Sequence, residues 1–111
     1  MGMGYTFQGA SGQNYVYFNL TATKFADLPL ASGCLIFADA VGLDRRPILI
    51  VDVPQIRGHA KHLIESETVP VGAFLYGHPE QDSKARAAEV RDLIHAYRPP
   101  MNLGKAVPED E

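Results

Sequence analysis

Two apolar runs decide the fold of this chain: residues 33–38 read Gly33-Cys34-Leu35-Ile36-Phe37-Ala38, and residues 47–51 read Pro47-Ile48-Leu49-Ile50-Val51. Each run is nearly continuous in apolar side chains and has the length of a strand rather than of a helix. Residues 42–46, Gly-Leu-Asp-Arg-Arg, join the two runs and are typical of a turn. The pattern therefore predicts two paired antiparallel strands that are buried on both faces.

A β-hairpin is predicted before these strands. Residues 5–7 and 15–18 are rich in aromatic and β-branched side chains, and the glycine-rich residues 9–14 between them are typical of a turn. The two tyrosines of the second strand would share one face, with Val16 and Phe18 on the other. Such an aromatic row either stacks unpaired bases or packs within the hairpin, and a free edge strand could pair with a second copy of the chain.

Two helices are predicted in the C-terminal half. The first begins near Pro54, and its apolar stripe consists of Ile56, Ala60, Leu63 and Ile64. Residues 69–76 form a third apolar run, which predicts a strand. Residues 80–97 predict the second helix, with an apolar stripe of Val90, Leu93, Ile94 and Tyr97 that ends before Pro99-Pro100. The expected fold class is α+β, with a small antiparallel sheet of three core strands flanked by helices and an extra N-terminal hairpin.

Composition limits the classes of function. The 111 residues suit one domain, 1–111, and 10 Lys+Arg against 13 Asp+Glu give a net charge of −3. A strongly basic domain that binds phosphate through its overall charge is therefore excluded, although a local basic face on a nearly neutral domain is not. Cys34 is the single cysteine, which excludes an intramolecular disulfide and predicts a small buried side chain rather than a nucleophile. The chain shows no membrane-spanning run and no signal-peptide pattern, so we expect a cytoplasmic protein.

The C-terminal stretch from Arg86 to Asn102, Arg-Ala-Ala-Glu-Val-Arg-Asp-Leu-Ile-His-Ala-Tyr-Arg-Pro-Pro-Met-Asn, resembles the closing helix of the GIY-YIG nuclease superfamily. Residues 33–37 are similar to the strand that carries the GIY element, and residues 47–56 are similar to the YIG strand and the turn after it. The resemblance spans residues 33–102. It implies a GIY-YIG-like core, with residues 1–20 as a hairpin extension and residues 103–111 as an acidic tail.

The same resemblance implies a degenerate active site. The two tyrosines of the family correspond to Leu35 and Leu49, its catalytic arginine to His59 and its metal-binding glutamate to Val90. Only the closing asparagine, Asn102, is kept. A leucine cannot transfer a proton and a valine cannot bind a metal ion, so the resemblance implies a non-catalytic module that binds nucleic acid or protein.

The alternative is a weak DNA endonuclease that depends on Mg²⁺ or Mn²⁺ and uses a shifted set of residues. Arg57, His59 and Glu89 are the available substitutes. Helical phase argues against this set, because Val90 shares the apolar stripe and Glu89, one residue earlier, is turned by about 100°. We therefore expect Glu89 in a solvated ion pair with Arg86, and neither a metal site nor a cofactor in the non-catalytic module.

A basic edge of the first helix is the predicted binding site. It consists of Arg57, His59, Lys61 and His62, to which the resemblance adds Asn102. These cations are suited to phosphate contacts. His59 and His62 could instead form half of a zinc site, although the sequence offers no third ligand beside them. The hairpin is the predicted surface for a protein partner or a homodimer, and we expect His78 and His95 to be solvated.

Overall fold

The computed structural model describes residues 4–104. It contains strands β1 (Gly4–Gln8), β2 (Asn14–Asn19), β3 (Gly33–Val41), β4 (Asp44–Val53) and β5 (Phe74–Pro79), helices α1 (Ile56–Glu65) and α2 (Ser83–Tyr97), and a short 3₁₀ helix (Phe25–Asp27). The α+β class is thus as expected. The acidic tail lies outside the described residues from residue 105 onward. Neither helix in the described part of the chain combines the length and the apolar character that crossing a membrane requires.

All five strands form one antiparallel sheet in the order β1-β2-β5-β3-β4. The expected sheet of three core strands with a separate hairpin is therefore too small. The hairpin joins the core because β2 pairs with β5, where Phe18 lies opposite Gly77 and Asn19 opposite Tyr76. The free edges of the sheet are β1 and β4.

Several boundaries differ from the sequence pattern because backbone chemistry limits the apolar runs. The run expected as a strand over residues 69–76 begins with a turn, in which Ala73 donates its N–H to the Pro70 carbonyl at 3.2 Å. Gly72 in that turn has a φ of +90°, which glycine adopts without strain. The strand therefore starts only at Phe74.

Both helices begin later than predicted. Pro54 precedes α1 and does not belong to its first turn, because Gln55 takes the N-cap position with an extended backbone. In α2 the Asp82 carboxylate accepts the N–H of Lys84 at 3.0 Å and so caps the helix. The polar residues before Asp82 remain outside the helix.

The two helices cover opposite faces of the sheet. Alternating β3 side chains separate the faces, because Leu35 and Phe37 pack towards α1 while Cys34 and Ile36 pack towards α2. The core on the α1 side consists of Leu28, Leu35, Phe37, Ile48, Leu49, Val53, Ile56, Ala60, Val69 and Leu75. The core on the α2 side consists of Phe7, Tyr17, Cys34, Ile36, Ala38, Ile50, Tyr76 and Leu93.

Candidate functional site

The predicted basic edge of α1 is only partly available to a ligand. His59, Lys61 and His62 are exposed, whereas Arg57 is half-buried and donates from Nε to the Leu28 carbonyl at 3.0 Å. That bond ties Arg57 to the segment before β3. The edge therefore keeps three exposed basic side chains rather than four.

His59 and His62 line one shallow groove together with Gln55 and Gly58. Among residues 4–104, no group of three or more His, Cys, Asp and Glu side chains is placed to hold a metal ion. The two histidines thus have no third ligand near them in this part of the chain, and their arrangement gives no support to the zinc interpretation.

The positions to which the resemblance assigns catalytic roles do not converge on a common cavity. Leu35 and Leu49 are buried in the core on the α1 side, with 0% and 8% of their surface exposed. Val90 is half-buried on a flank of α2, where it lines a separate groove. The leucines therefore close the place where the resemblance would put the tyrosines.

Asn102 has a structural role in the described geometry. Its Oδ1 accepts the Ile50 N–H at 2.7 Å and its Nδ2 donates to the Ile50 carbonyl at 2.8 Å. The side-chain amide thus replaces a neighbouring strand along the free edge of β4. With both ends of the amide engaged in this way, Asn102 fastens the segment after α2 to the sheet.

Glu89 is not on a solvated face, so that expectation was wrong. Its side chain is buried with 5% of its surface exposed, and its Oε2 accepts the hydroxyl of Tyr17 at 2.5 Å. His78 Nδ1 lies 2.9 Å from Oε2 and 3.1 Å from Oε1 of the same carboxylate. His78, expected to be solvated, is therefore half-buried in an ion pair or charge-assisted hydrogen bond with Glu89.

The expected partner of Glu89, Arg86, turns away from it. Arg86 Nε lies 3.4 Å from Asp52 Oδ1, and its Nη1 donates to Ser32 Oγ at 3.1 Å and to the Glu80 carbonyl at 2.9 Å. Helical phase failed at this point because the buried face of α2 was defined by apolar residues alone. The Tyr17 phenol and the His78 imidazole of the sheet lie next to the Glu89 carboxyl group. Their hydrogen bonds replace those that the carboxyl group loses to water when it is buried.

The surroundings of Glu89 also fix the protonation of its neighbours. Burial, together with the nearby Cys34 and Glu89, raises the pKa of the Tyr17 phenol far above its ordinary range. Burial and the charge of Glu89 raise the pKa of the Cys34 thiol to about 12. Cys34 therefore stays a thiol at neutral pH, in agreement with its interpretation as a buried apolar residue.

A groove of about 440 Å³ opens beside this cluster. Its lining combines polar and small side chains: Gln13, Asn14, Tyr15, Val16, His78, Glu80, Ala85, Ala88 and Glu89. The Glu89 carboxyl group faces His78 Nδ1, and this contact favours the tautomer in which Nδ1 donates to Glu89. In that neutral tautomer the lone pair of Nε2 is available, and within the described residues no group forms a hydrogen bond with Nε2.

The tyrosines of β2 share one face, as expected, but that face lies under α2. The Tyr15 hydroxyl donates to Asp92 Oδ2 at 2.8 Å, and burial with this bond raises the pKa of Tyr15 to about 12. Asp92 also accepts the N–H and the hydroxyl of Ser11, at 2.9 Å and 2.7 Å. These contacts fasten the hairpin to α2. Tyr15 and Tyr17 are consequently not free to stack with bases.

The exposed ionisable side chains on the outer face of α2 are basic, and the exposed Asp52 of β4 lines one groove with Arg91, His95 and Arg98. Both acidic side chains of the helix, Glu89 and Asp92, bond to the hairpin side of the molecule. The exposed ionisable side chains of α2 and its C-cap form what we call the basic stripe: Lys84, Arg91, His95 and Arg98. At about 100° per residue Lys84, Arg91 and His95 fall within roughly 40° of the helix circumference, and Arg98 follows the last turn as the C-cap in a left-handed conformation.

The basic stripe has no acidic partner in the described part of the chain, where none of its side chains forms an ion pair or a hydrogen bond. The other described arginines are engaged by the fold. Arg46 pairs with Asp39 at 2.7 Å, and Arg45 donates to the Tyr76 hydroxyl and stacks on Phe74. The two arginines without such contacts, Arg91 and Arg98, are both in the stripe.

The shifted endonuclease set is not brought together. Glu89 lies on the α2 side of the sheet, whereas Arg57 and His59 belong to α1 on the opposite side.

No local signal in the sequence marks His78 and Tyr17 as partners of Glu89, since these residues are far apart in the chain. The basic stripe does have such a signal, because Lys84, Arg91 and Arg98 are spaced by seven residues, which is close to two helical turns.

Comparison of this chain with protein-family models, with curated proteins and with solved structures finds no match.

Proposed function

We propose that this chain is a GIY-YIG-like domain that has lost the family's cleavage site and binds nucleic acid through the outer face of α2. Between Gly33 and Tyr97 the chain forms two strands, a helix, a strand and a closing helix, in the order predicted for the GIY-YIG-like core, and this agreement supports the first part. The burial of Leu35 and Leu49 supports the loss of the original site. The proposal includes a cytoplasmic location, in which Cys34 would remain a reduced thiol.

The observation that carries the binding function is the basic stripe. Its cations are exposed and have no acidic partner within the described residues, so a phosphate backbone can approach them without breaking an ion pair. The exposed Ala87 and Ala88 lie beside the same face, and their small side chains let a strand approach the helix closely. A near-neutral body with one basic face is expected to bind weakly and with a strong dependence on salt.

The alternative surface for nucleic acid is the α1 edge, which the sequence favoured. Only Lys61 on that edge carries a permanent charge without a bond to the fold, since Arg57 is tied to Leu28. His59 and His62 add positive charge only when they are protonated. The α2 stripe therefore has the higher density of permanent charge.

A matched pair of charge reversals tests this assignment. Fluorescence anisotropy with a labelled single-stranded oligonucleotide is measured over a range of salt concentrations for the wild type, for Lys84→Glu with Arg91→Glu, and for Lys61→Glu. We expect the α2 double variant to weaken binding at least about 10-fold and to reduce the slope of log K against log salt by about 2. Lys61→Glu should change the affinity less than about 2-fold.

Two results would overturn the proposal. If Lys61→Glu weakens binding as much as the α2 double variant, the α1 edge is the interface. If the wild type binds no oligonucleotide at low salt, the domain is not a nucleic-acid module.

A protein partner on the hairpin is the second candidate, and one observation favours it. Val16 and Phe18 are 54% and 49% exposed on the face of β2 that α2 does not cover. Sedimentation of the purified chain, with Phe18→Ser as the variant, shows whether this face joins two copies. A monomer at every concentration tested would exclude the homodimer.

A further inference from the structure

His78 and Glu89 have the arrangement of a general base and the group that positions it. The Glu89 carboxyl group is buried and lies 2.9 Å from Nδ1, so it orients the ring and favours the tautomer in which Nδ1 is the donor. The opposite ring nitrogen, Nε2, belongs to a half-buried side chain that lines the groove of about 440 Å³. Tyr17 donates to the same carboxylate and holds it in place from below.

The groove adjoins the basic stripe. Ala85, Ala88 and Glu89 of α2 line one side of the groove, and Ala88 also borders the stripe, being turned about 40° from Lys84 around the helix. A strand whose phosphates follow the stripe can therefore pass over Ala88 and place one nucleoside beside His78. The volume of the groove suits a ligand of that size.

The polar lining of the groove fits a nucleoside better than a phosphate. Gln13 and Asn14 contribute exposed residues with amide side chains, which can hydrogen-bond to a sugar or a base edge. Glu80 contributes a negative charge, although its Oε2 also accepts the N–H of Asp82 at 3.1 Å. A strand bound in this way would have its phosphates along the stripe and one ribose over the groove.

We propose that His78 is the general base of a ribonucleotide transesterification on single-stranded RNA, with Glu89 as its positioning residue. For the way in which the strand is held, this inference rests on the proposed function. RNA fits the site because its ribose carries a nucleophile next to the phosphate, and a single proton acceptor is enough to activate that hydroxyl. DNA lacks the 2′-hydroxyl and would bind without being cleaved.

The step balances in atoms and protons. His78 Nε2 takes the proton of the 2′-hydroxyl, the 2′-oxygen forms a bond to phosphorus, and the bond between phosphorus and the 5′-oxygen breaks. The leaving 5′-oxygen takes a proton from a solvent water, and the resulting hydroxide receives the proton held on Nε2. The products are a 2′,3′-cyclic phosphate and a 5′-hydroxyl, and no oxidant, reductant or further reactant is consumed.

The experiment uses the full chain with two substrates in EDTA: the dinucleotide uridylyl-adenosine, and a single-stranded RNA long enough to follow the stripe. Variants are His78→Ala, Glu89→Gln and the α2 double charge reversal, all purified identically to the wild type. We expect His78→Ala to lower the cleavage rate about 100-fold or more, and added imidazole to restore part of it. Glu89→Gln should lower kcat about 10-fold with little change in KM, because the base is still present but less well oriented.

A substrate control keeps the test independent of whether the variants fold. Replacing the 2′-hydroxyl at the cleaved linkage by hydrogen should abolish cleavage by the wild-type protein. Cleavage that survives this replacement, or that is equal in His78→Ala, would overturn the inference.

The two proposals fail in different ways. RNA binding without cleavage of either substrate would overturn the general base and leave the binding function standing. Cleavage of the dinucleotide without any binding of the longer RNA would overturn the α2 interface and leave His78 as the base.

Discussion

The two faces of the sheet differ in what holds them together. The core towards α1 contains aliphatic side chains and Phe37, whereas the core towards α2 surrounds Tyr17, Tyr76 and the buried carboxyl group of Glu89. Among the described residues no buried side-chain nitrogen or oxygen lacks a hydrogen-bond partner. The packing of the α1-side core therefore depends on the complementary shapes of apolar side chains. The packing of the α2-side core depends in addition on specific hydrogen bonds between polar side chains.

The largest effect is expected where shape alone matters. Leu35→Ala removes a fully buried side chain from the α1-side core and should lower the free energy of unfolding by about 2–5 kcal/mol. Leu35→Met keeps the volume and should cost less than about 1.5 kcal/mol. Urea unfolding measures both values, with Leu43→Ala, at a position 97% exposed, as a control expected to stay within about 0.5 kcal/mol. A tolerated alanine at position 35 would mean that this core is loosely packed.

On the α2 side, removal of the buried carboxyl group of Glu89 should lower stability. Glu89→Ala leaves the Tyr17 hydroxyl and His78 Nδ1 without their acceptor, and it should lower the free energy of unfolding by about 2–3 kcal/mol. Glu65→Ala, at an exposed position near the end of α1, is the matched control and should change stability by no more than about 0.5 kcal/mol. Equal stability of the two variants would show that Glu89 is solvated, as its sequence environment suggests.

Glu89 also shows why part of the site could not be read from the chain. The strands, both helices and the alternation of β2 follow from local periodicity, because the apolar runs and stripes are continuous in sequence. The partners of Glu89 are 72 and 11 residues away, on β2 and β5, and only the antiparallel pairing of those strands brings them together. Apolar periodicity predicts burial only for apolar side chains. It therefore predicts that Glu89 is exposed to solvent, although the Tyr17 hydroxyl and His78 Nδ1 lie within hydrogen-bond distance of its carboxyl group.

The pairing of the hairpin with the rest of the sheet also could not be predicted from sequence, because it too joins residues that are far apart in the chain. Only two residue pairs connect β2 to β5 in the backbone register. The residue types of Phe18 and Asn19 do not indicate which strand they pair with. The boundaries of β5 and α1, by contrast, depend on Pro70, Gly72 and Gln55, where turn and cap chemistry overrides an apolar pattern. Local chemistry of this kind is readable from sequence, whereas strand order is not.

A smaller effect is expected at the edge of β4, where both faces of the sheet end. Asn102→Ala removes the two bonds to the backbone of Ile50 and should lower the free energy of unfolding by about 1–2 kcal/mol. The Ile50 amide should then exchange its hydrogen faster, which NMR can follow directly. Asn14→Ala, an exposed amide in β2, is the control. Unchanged exchange at Ile50 would mean that another group protects this edge.

The smallest effect tests the polar fastening of the hairpin to α2, and it appears as a pH dependence. The Ser11 hydroxyl, with further bonds from the Ser11 N–H and Tyr15, holds the pKa of Asp92 below its ordinary value. A carboxylate with a lowered pKa in the folded state contributes stability above its ordinary pKa and loses it as the pH falls through the folded value. Between about pH 6 and about pH 2.5, the Tm of the wild type should therefore fall further than the Tm of Asp92→Asn. Asp27→Asn, whose exposed carboxylate has no hydrogen bond among the described residues, should melt in parallel with the wild type. If the Tm of Asp92→Asn changes with pH as the Tm of the wild type does, the hairpin is held by its aromatic packing against α2. The hydrogen bonds of Asp92 would then orient this contact without stabilising it.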